Sequence, residues 1–435
     1  MRVLSALASA VLCLAMSGTV SAQPQPDAAA VHDPAIGSYA FADGREIYVN
    51  YLADAGGLLL VEYPSGRVRL LHRDSGENFS IGPTIGAPTP TVAQIAFTQN
   101  SVRWHENGES TGQRLRFAHE DVSIHSGAIT LAGTITFPRG RGPFPAVVLL
   151  HGGLAETRDF LWVTDFFARR GVAVLAYDKR GSGQSGGDWR TASAYDLADD
   201  ALAAVHVLRA RRDVVHDRIG LYASSAGNWV APIVATRTDV AWVIGRAVTA
   251  LPERENLIFE ASSDLRANGF DDAAIAAAQA LHRRWIAVTD ANGAGWNDLR
   301  TALSAASHQP WFQFARLPGQ LPEWNEANRA QILDIVDMQR RNIVETPALW
   351  AQVRRPLLLQ NGTLDIYVPG VMSAEALQRA VDTNPNALVR IYPRGDHGLF
   401  ESEHGYGRDI PGVSRFVPGY LTDMDAFIAR YAVRR

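Results

Sequence analysis

Ser225 stands in the run Ala223-Ser224-Ser225-Ala226-Gly227, between a segment of strand character and one of helix character. A serine hydroxyl is a weak nucleophile until a neighbouring base takes its proton. A sharp strand-to-helix turn projects such a hydroxyl beyond the edge of a sheet. The crowded backbone there calls for small residues two positions before and two after, usually as G-x-S-x-G. Here Ala223 replaces the first glycine and adds one methyl group. With Ser224 as the nucleophile, Tyr222 would fall where no bulky side chain fits, so Ser225 is the candidate. Downstream, Asp365 ends Asn361-Gly362-Thr363-Leu364-Asp365 and His397 lies in Gly395-Asp396-His397-Gly398, each just after a stretch of strand pattern. A histidine at that place can act as general base, and a carboxylate fixes its tautomer and stabilises the imidazolium. The order Ser, Asp, His is one of the orders that such triads follow. Asp396 is the alternative acid, although an immediate neighbour rarely has the geometry. His404 is the alternative base, without a strand-end position.

Two backbone N–H groups are the candidate oxyanion donors. One belongs to Gly153, in His151-Gly152-Gly153 directly after the apolar run 146–150, and the other to Ala226, just after the nucleophile. Losing one such donor typically costs about 3 kcal/mol of transition-state stabilisation. The same glycine pair also reads as a tight turn, and both readings can hold. Leu154, beside the glycines, and Trp229, about one helical turn past Ser225, are the substrate-pocket candidates.

The elements that must position these residues follow from periodicity. Residues 37–118 read as short strands separated by turn signals such as Asp43-Gly44, Gly56-Gly57 and Ser65-Gly66, so a small all-β domain is expected over 23–118. From 119 the pattern changes to buried strands, 144–150 and 172–177 as apolar runs and 218–223 as the next strand, alternating with helical stretches near 164–170 and 197–211. Buried strands alternating with amphipathic helices predict a parallel α/β sheet. Residues 253–350 interrupt it with helical patterns at 272–286, 296–306 and 326–344, and the strand pattern resumes at 356–360 and 388–392. The expected fold is therefore α/β, a doubly wound, mostly parallel sheet in two parts, 119–252 and 351–435. A helical cap is inserted between them, and the all-β domain precedes both. Trp285, Trp296, Trp311, Trp324 and Trp350 lie in or beside the cap block, either lining an acyl pocket or forming the cap's own core.

Composition bounds the partners. Of the 435 residues 47% are hydrophobic and 20% charged, the balance of a folded globular protein. A net charge of −4 gives no basic face for nucleic acid and no polybasic membrane anchor. Arg2, the apolar stretch 3–16 and the small residues Val20-Ser21-Ala22 read as a cleaved export signal over 1–22, with a periplasmic or secreted destination. Cys13, the only cysteine, falls within it and follows Leu12, where lipid attachment calls for a small residue. The mature chain would then have no disulfide, thiolate ligand or cysteine nucleophile. No cofactor or metal is expected. Lys179 is the only lysine, which matches codon usage in a GC-rich genome.

Residues 121–232 resemble bacterial α/β-hydrolase esterases related to dienelactone hydrolases and to acyl-peptidase (prolyl oligopeptidase-like) catalytic domains. The resemblance is carried by His151-Gly152-Gly153, Asp178-Lys179-Arg180-Gly181-Ser182-Gly183-Gln184-Ser185 and the turn at Ser225. Residues 356–429 fit as well, so about half of the chain is covered. In this fold D-x-R-G-x-G-x-S orders the turn beside the nucleophile, which implies structural roles for Asp178 and Arg180. The implied activity is hydrolysis of small or medium acyl esters through an acyl-enzyme, with a small-molecule ester as partner. Two other readings stay open. One is an exported serine peptidase or amidase, although relatives acting on peptides usually carry a large propeller or another gating domain, and residues 37–118 are too few for a propeller. The other is a catalytically silent binding protein, which would normally have lost a member of the triad.

Overall fold

In the computed structural model residues 33–52, 56–341 and 343–433 are described; the expected export signal, with Cys13, lies outside them. Eight antiparallel strands, from β1 (Gly37–Phe41) to β8 (Glu109–Leu115), close into a barrel through pairing of β1 with β8. Successive side chains of a strand point to opposite faces. Thus Val102 and Trp104 are buried in Ser101–His105 while Arg103 and His105 are exposed. Tyr39, Phe41, Phe79, Phe97 and Trp104 fill the interior, making it a packed core.

The second half is an eight-stranded sheet of β9 (Ala118–Ser126), β10 (Ile129–Phe137), β11 (Phe144–Leu150), β12 (Ala173–Tyr177), β13 (Val214–Ser224), β14 (Val243–Arg246), β15 (Leu357–Gly362) and β16 (Ala387–Tyr392). Their order is β16-β15-β14-β13-β11-β12-β10-β9. β10 is antiparallel to both β9 and β12, and the remaining pairs are parallel. The apolar run of β11 is explained by cover on both faces: Ala146, Val148 and Leu150 enter one core cluster, Val147 and Leu149 the other. Connecting helices are α1 (Trp162–Arg169), α2 (Ala194–Arg209) and α3 (Gly227–Arg237). Ser193 and Asp196 start α2 with a capping box, each side chain accepting the other's backbone N–H.

The cap holds α4 (Glu253–Ala267), α5 (Asp272–Asp290), α6 (Trp296–Ala306) and α7 (Arg329–Arg341). Trp285, Trp296 and Trp311 form its own core with Ile332 and Val336, and Trp324 packs against them. Trp350, in α8 (Thr346–Trp350), belongs instead to the main sheet's core. Among the described residues no helix is long and apolar enough to cross a membrane.

The barrel is joined firmly to the sheet half. Leu59, Val61, Tyr63, Val68 and Ile85 share one apolar cluster with Trp162, Phe166, Phe416 and Tyr420. Buried Arg169 pairs with Asp165 at 2.5 Å and donates to the carbonyls of Tyr39 (3.1 Å) and Ile47 (2.6 Å). Backbone bonds run from Val68 N–H to Ser414 O (2.9 Å), Ile85 N–H to Val413 O (2.8 Å) and Phe416 N–H to Gly66 O (2.9 Å).

Candidate active site

β13 ends at Ser224 and α3 begins at Gly227, so Ser225 occupies the turn between them. Its φ is +51°, a left-handed conformation that costs a non-glycine residue energy and persists only where its surroundings impose it. Ser225 N–H donates to Arg246 O at 2.9 Å, and Asn228 Nδ2 donates to Ser225 O at 3.0 Å and Arg246 O at 2.8 Å. The need for Gly227 is explicit: a Cβ there would lie 2.7 Å from His151 O and 2.9 Å from Leu150 O. Ala223 is fully buried, so its methyl is accommodated.

His397 Nε2 lies 3.0 Å from Ser225 Oγ, and Nδ1 lies 3.0 and 2.9 Å from the two carboxylate oxygens of Asp365. With Nδ1–H donating to the carboxylate, Nε2 is left to accept from the serine hydroxyl. Asp365 is 6% exposed, and its Oδ1 also accepts the N–H groups of Tyr367 (2.8 Å) and Val368 (2.9 Å). The arrangement can draw the proton from Oγ and hold the resulting imidazolium. Neither alternative joins it. Asp396 uses Oδ1 to accept from Gly398 N–H (2.8 Å) and Phe400 N–H (2.9 Å), building the histidine's turn, and burial pushes its carboxyl up to about 6. His404 pairs with Asp409 at 3.2 Å near the surface. The Ser224 hydroxyl accepts from Arg246 Nη2.

β11 and β13 run parallel with Leu150 beside Ala223, which brings the glycine pair alongside the Ser225 turn. Gly152 N–H donates to Glu156 Oε2 at 2.7 Å. The N–H groups of Gly153 and Ala226 have no acceptor among the described residues. His151 is structural: Nε2–H donates to Tyr177 O at 2.5 Å, and burial, helped by nearby Lys179, pushes the ring down to about 3. The Asp178 carboxylate accepts from Arg158 N–H (2.8 Å), Arg158 Nη2 (2.9 Å) and Gln184 N–H (2.8 Å). Arg180 is buried against Asp200 at 2.7 and 2.8 Å. Both stabilise the loop beside the site. Leu154 is partly exposed. Trp229 is 8% exposed, packs in the main core and donates its indole N–H to Leu251 O at 2.9 Å.

Three residues emerge only from the structure. Arg246, at the end of β14, donates to His397 O at 2.6 Å and so ties the Ser225 turn to the His397 loop. The ring of Tyr367 meets His397 edge-on at 5.0 Å. Arg316 lies over that tyrosine at 5.4 Å and pairs with Glu260 (2.7 Å) and Asp264 (2.6 Å) of α4. Burial pushes the Glu260 carboxyl up to about 7, with Arg316 opposing. The cap is thereby anchored, through Tyr367, beside His397.

A mostly parallel sheet with its serine on the turn after a central strand, a following Asp and His, and an inserted helical cap is the architecture of an α/β hydrolase. A model of the alpha/beta hydrolase family matches residues 147–406, more than half of the chain, and the chain belongs to that family; it is a hydrolase. Esterase EstD of Thermotoga maritima is 31% identical over 147 residues, which span 32% of this chain and 34% of that esterase. A non-heme haloperoxidase of Rhodococcus erythropolis is 25% identical over 270 residues, spanning 61% of this chain and 90% of that protein. Among solved structures, an esterase of Pyrococcus furiosus superposes with a TM-score of 0.43 at 17% identity, covering 73% of this chain and 92% of that one.

Proposed function

We propose that the protein is a serine carboxylesterase acting on small or medium acyl esters through an acyl-enzyme. The observation that carries this reading is the unbroken chain of contacts from Ser225 Oγ through His397 to Asp365. The similarity to EstD supports an ester as the substrate. Ser225 Oγ attacks the ester carbonyl while Nε2 of His397 takes its proton, and Asp365 stabilises the imidazolium. The carbonyl oxygen becomes an anion, received by the N–H groups of Gly153 and Ala226. Collapse of the tetrahedral intermediate breaks the C–O bond to the alcohol, whose oxygen takes the proton from Nε2. Water then attacks the acyl-serine, with His397 again taking and returning the proton, and the carboxylic acid leaves. We further read residues 1–22 as an export signal, on the basic, apolar and small-residue order of that segment.

The test is hydrolysis of p-nitrophenyl esters of increasing chain length, beside matched aminoacyl p-nitroanilides, by the wild type and Ser225→Ala. Ester turnover is expected to fall at least about 10³-fold in the variant, with amides cleaved more slowly by the wild type. Full ester turnover in Ser225→Ala, or amides preferred over esters, would overturn the assignment.

A further inference from the structure

Lys179 is the only lysine of the chain, and every other strongly basic side chain is arginine. It is 4% exposed. A buried ammonium is costly unless its N–H groups are satisfied. Here Nζ donates to Gly152 O at 2.8 Å and Leu154 O at 3.0 Å, and lies 5.0 Å from the ring centre of Trp189. Two carbonyls and an aromatic face therefore meet its three hydrogens. A compact ammonium can serve two carbonyls of one tight turn, where a planar, forked guanidinium is larger and differently directed.

The carbonyl of Gly152 and the N–H of Gly153 belong to one peptide unit. That unit is planar and trans, so its C=O and N–H point in opposite directions. Holding the oxygen fixes the direction of the N–H, and a cation on the oxygen polarises the group and strengthens the donor. On the preceding peptide, Gly152 N–H is held by the Glu156 carboxylate. Opposite charges thus clamp the turn on both sides of Gly152.

We propose that Lys179 is a positioning residue for oxyanion stabilisation, aiming and polarising the Gly152–Gly153 peptide toward the carbonyl oxygen that becomes negative when Ser225 attacks. The proposal rests on the ester-hydrolase reading above. The charged groups that face Lys179 are Glu156 from the same loop and Glu253 at the start of α4, with buried His151 beside it. Burial pushes Lys179 down to about 8, and the two glutamates oppose the shift. Burial also pushes Glu253 up to about 7. A neutral amine still donates but no longer polarises the peptide, so oxyanion stabilisation weakens as pH rises through the lysine's ionisation.

The experiment compares wild type, Ser225→Ala and Lys179→Met on p-nitrophenyl acetate, with unfolding followed in parallel. For a folded Lys179→Met protein kcat is expected to drop roughly 10- to 100-fold, part of what losing a whole oxyanion donor costs, with KM little changed. A fluorophosphonate should still label Ser225 to completion, only more slowly. Wild-type protein carrying ¹³C-lysine gives a single lysine signal, whose ionisation midpoint is expected to match the alkaline fall of kcat. That measurement decides the matter if Lys179→Met does not fold. A folded variant with unchanged kcat, or a wild-type kcat that stays level while the lysine loses its proton, overturns the proposal. Turnover that survives Ser225→Ala overturns the underlying reading together with this one, whereas turnover that needs Ser225 but ignores Lys179 overturns this one alone.

Discussion

Asp365→Asn exchanges one carboxylate oxygen for an NH2 group and preserves the side chain's volume. Oδ1 receives two backbone N–H groups, from Tyr367 at 2.8 Å and Val368 at 2.9 Å, and only the amide oxygen can take over that duty. The NH2 group is then forced to the position of Oδ2, 2.9 Å from His397 Nδ1. There it donates, so Nδ1 must become the acceptor and the ring proton moves to Nε2, which faces Ser225 Oγ across 3.0 Å. In that tautomer the histidine cannot take the serine proton. The same exchange in a Ser-His-Asp site lowers kcat about 10⁴-fold, equivalent to about 5.4 kcal/mol of barrier. Both backbone contacts and the packing survive, so stability is expected to hold. Steady-state ester hydrolysis together with thermal unfolding checks both halves of this expectation. A folded Asp365→Asn protein that retains a tenth or more of the wild-type kcat would refute the reasoning.

Two further substitutions probe the surroundings. Arg316→Met strands the buried Glu260 carboxylate, costing about 3 kcal/mol at pH 8. Glu260 is already pushed up to about 7 by burial against the pull of Arg316, so without the arginine it rises further. The folded state then keeps a proton that the unfolded chain releases above its ordinary range near 4.5, and stability falls as pH rises between the two. The deficit against wild type should therefore be smaller at pH 5 than at pH 8 by thermal unfolding, and equal deficits would count against a stranded carboxylate. Gly227→Ala puts a methyl 2.7 Å from His151 O and 2.9 Å from Leu150 O. The turn must shift, at about 1–3 kcal/mol of stability and with at least a tenfold loss of kcat, and a variant turning over at the wild-type rate would show that the turn has room to spare.

The three residues of the candidate triad were legible because each carries a local signature: a serine among small residues, and an acid and a histidine each following a stretch of strand pattern. Strands covered on both faces announce themselves, as β11 and β12 do. Features whose signature is not local were missed. β14 has only four residues, too few for a period, so Arg246 had no element on which to be placed. α4 buries Asn256, Glu260, Ser262 and Ser263 beside Leu257, Ala261 and Leu265, which blurs the apolar stripe that marks a helix. β9 is largely exposed along one edge of the sheet. Barrel closure depends on β1 meeting β8 across the whole domain, a register that no window of sequence contains. Trp229 drew attention by its distance from Ser225, yet spacing alone does not say which side of α3 meets the core. Trp350 borders the cap block in sequence, and packs instead in the core under the sheet.

The segment that leaves His397 runs toward the barrel. Val417 N–H returns to Leu399 O at 2.9 Å, Phe400 stacks on Phe416 at 4.7 Å, and Phe416 N–H reaches Gly66 O in the barrel at 2.9 Å. The histidine loop is thus braced from behind by a domain that contributes no atom to the Ser225, His397 and Asp365 contacts. In mechanical terms the barrel is an abutment: the thrust that keeps the imidazole against the serine ends in its wall. Deleting it would bare the apolar face of Trp162, Phe166, Phe416 and Tyr420, on which Tyr63 and Val68 of the barrel pack, and leave the loop without a footing. The barrel and the sheet half therefore share one core and one set of backbone hydrogen bonds behind the His397 loop.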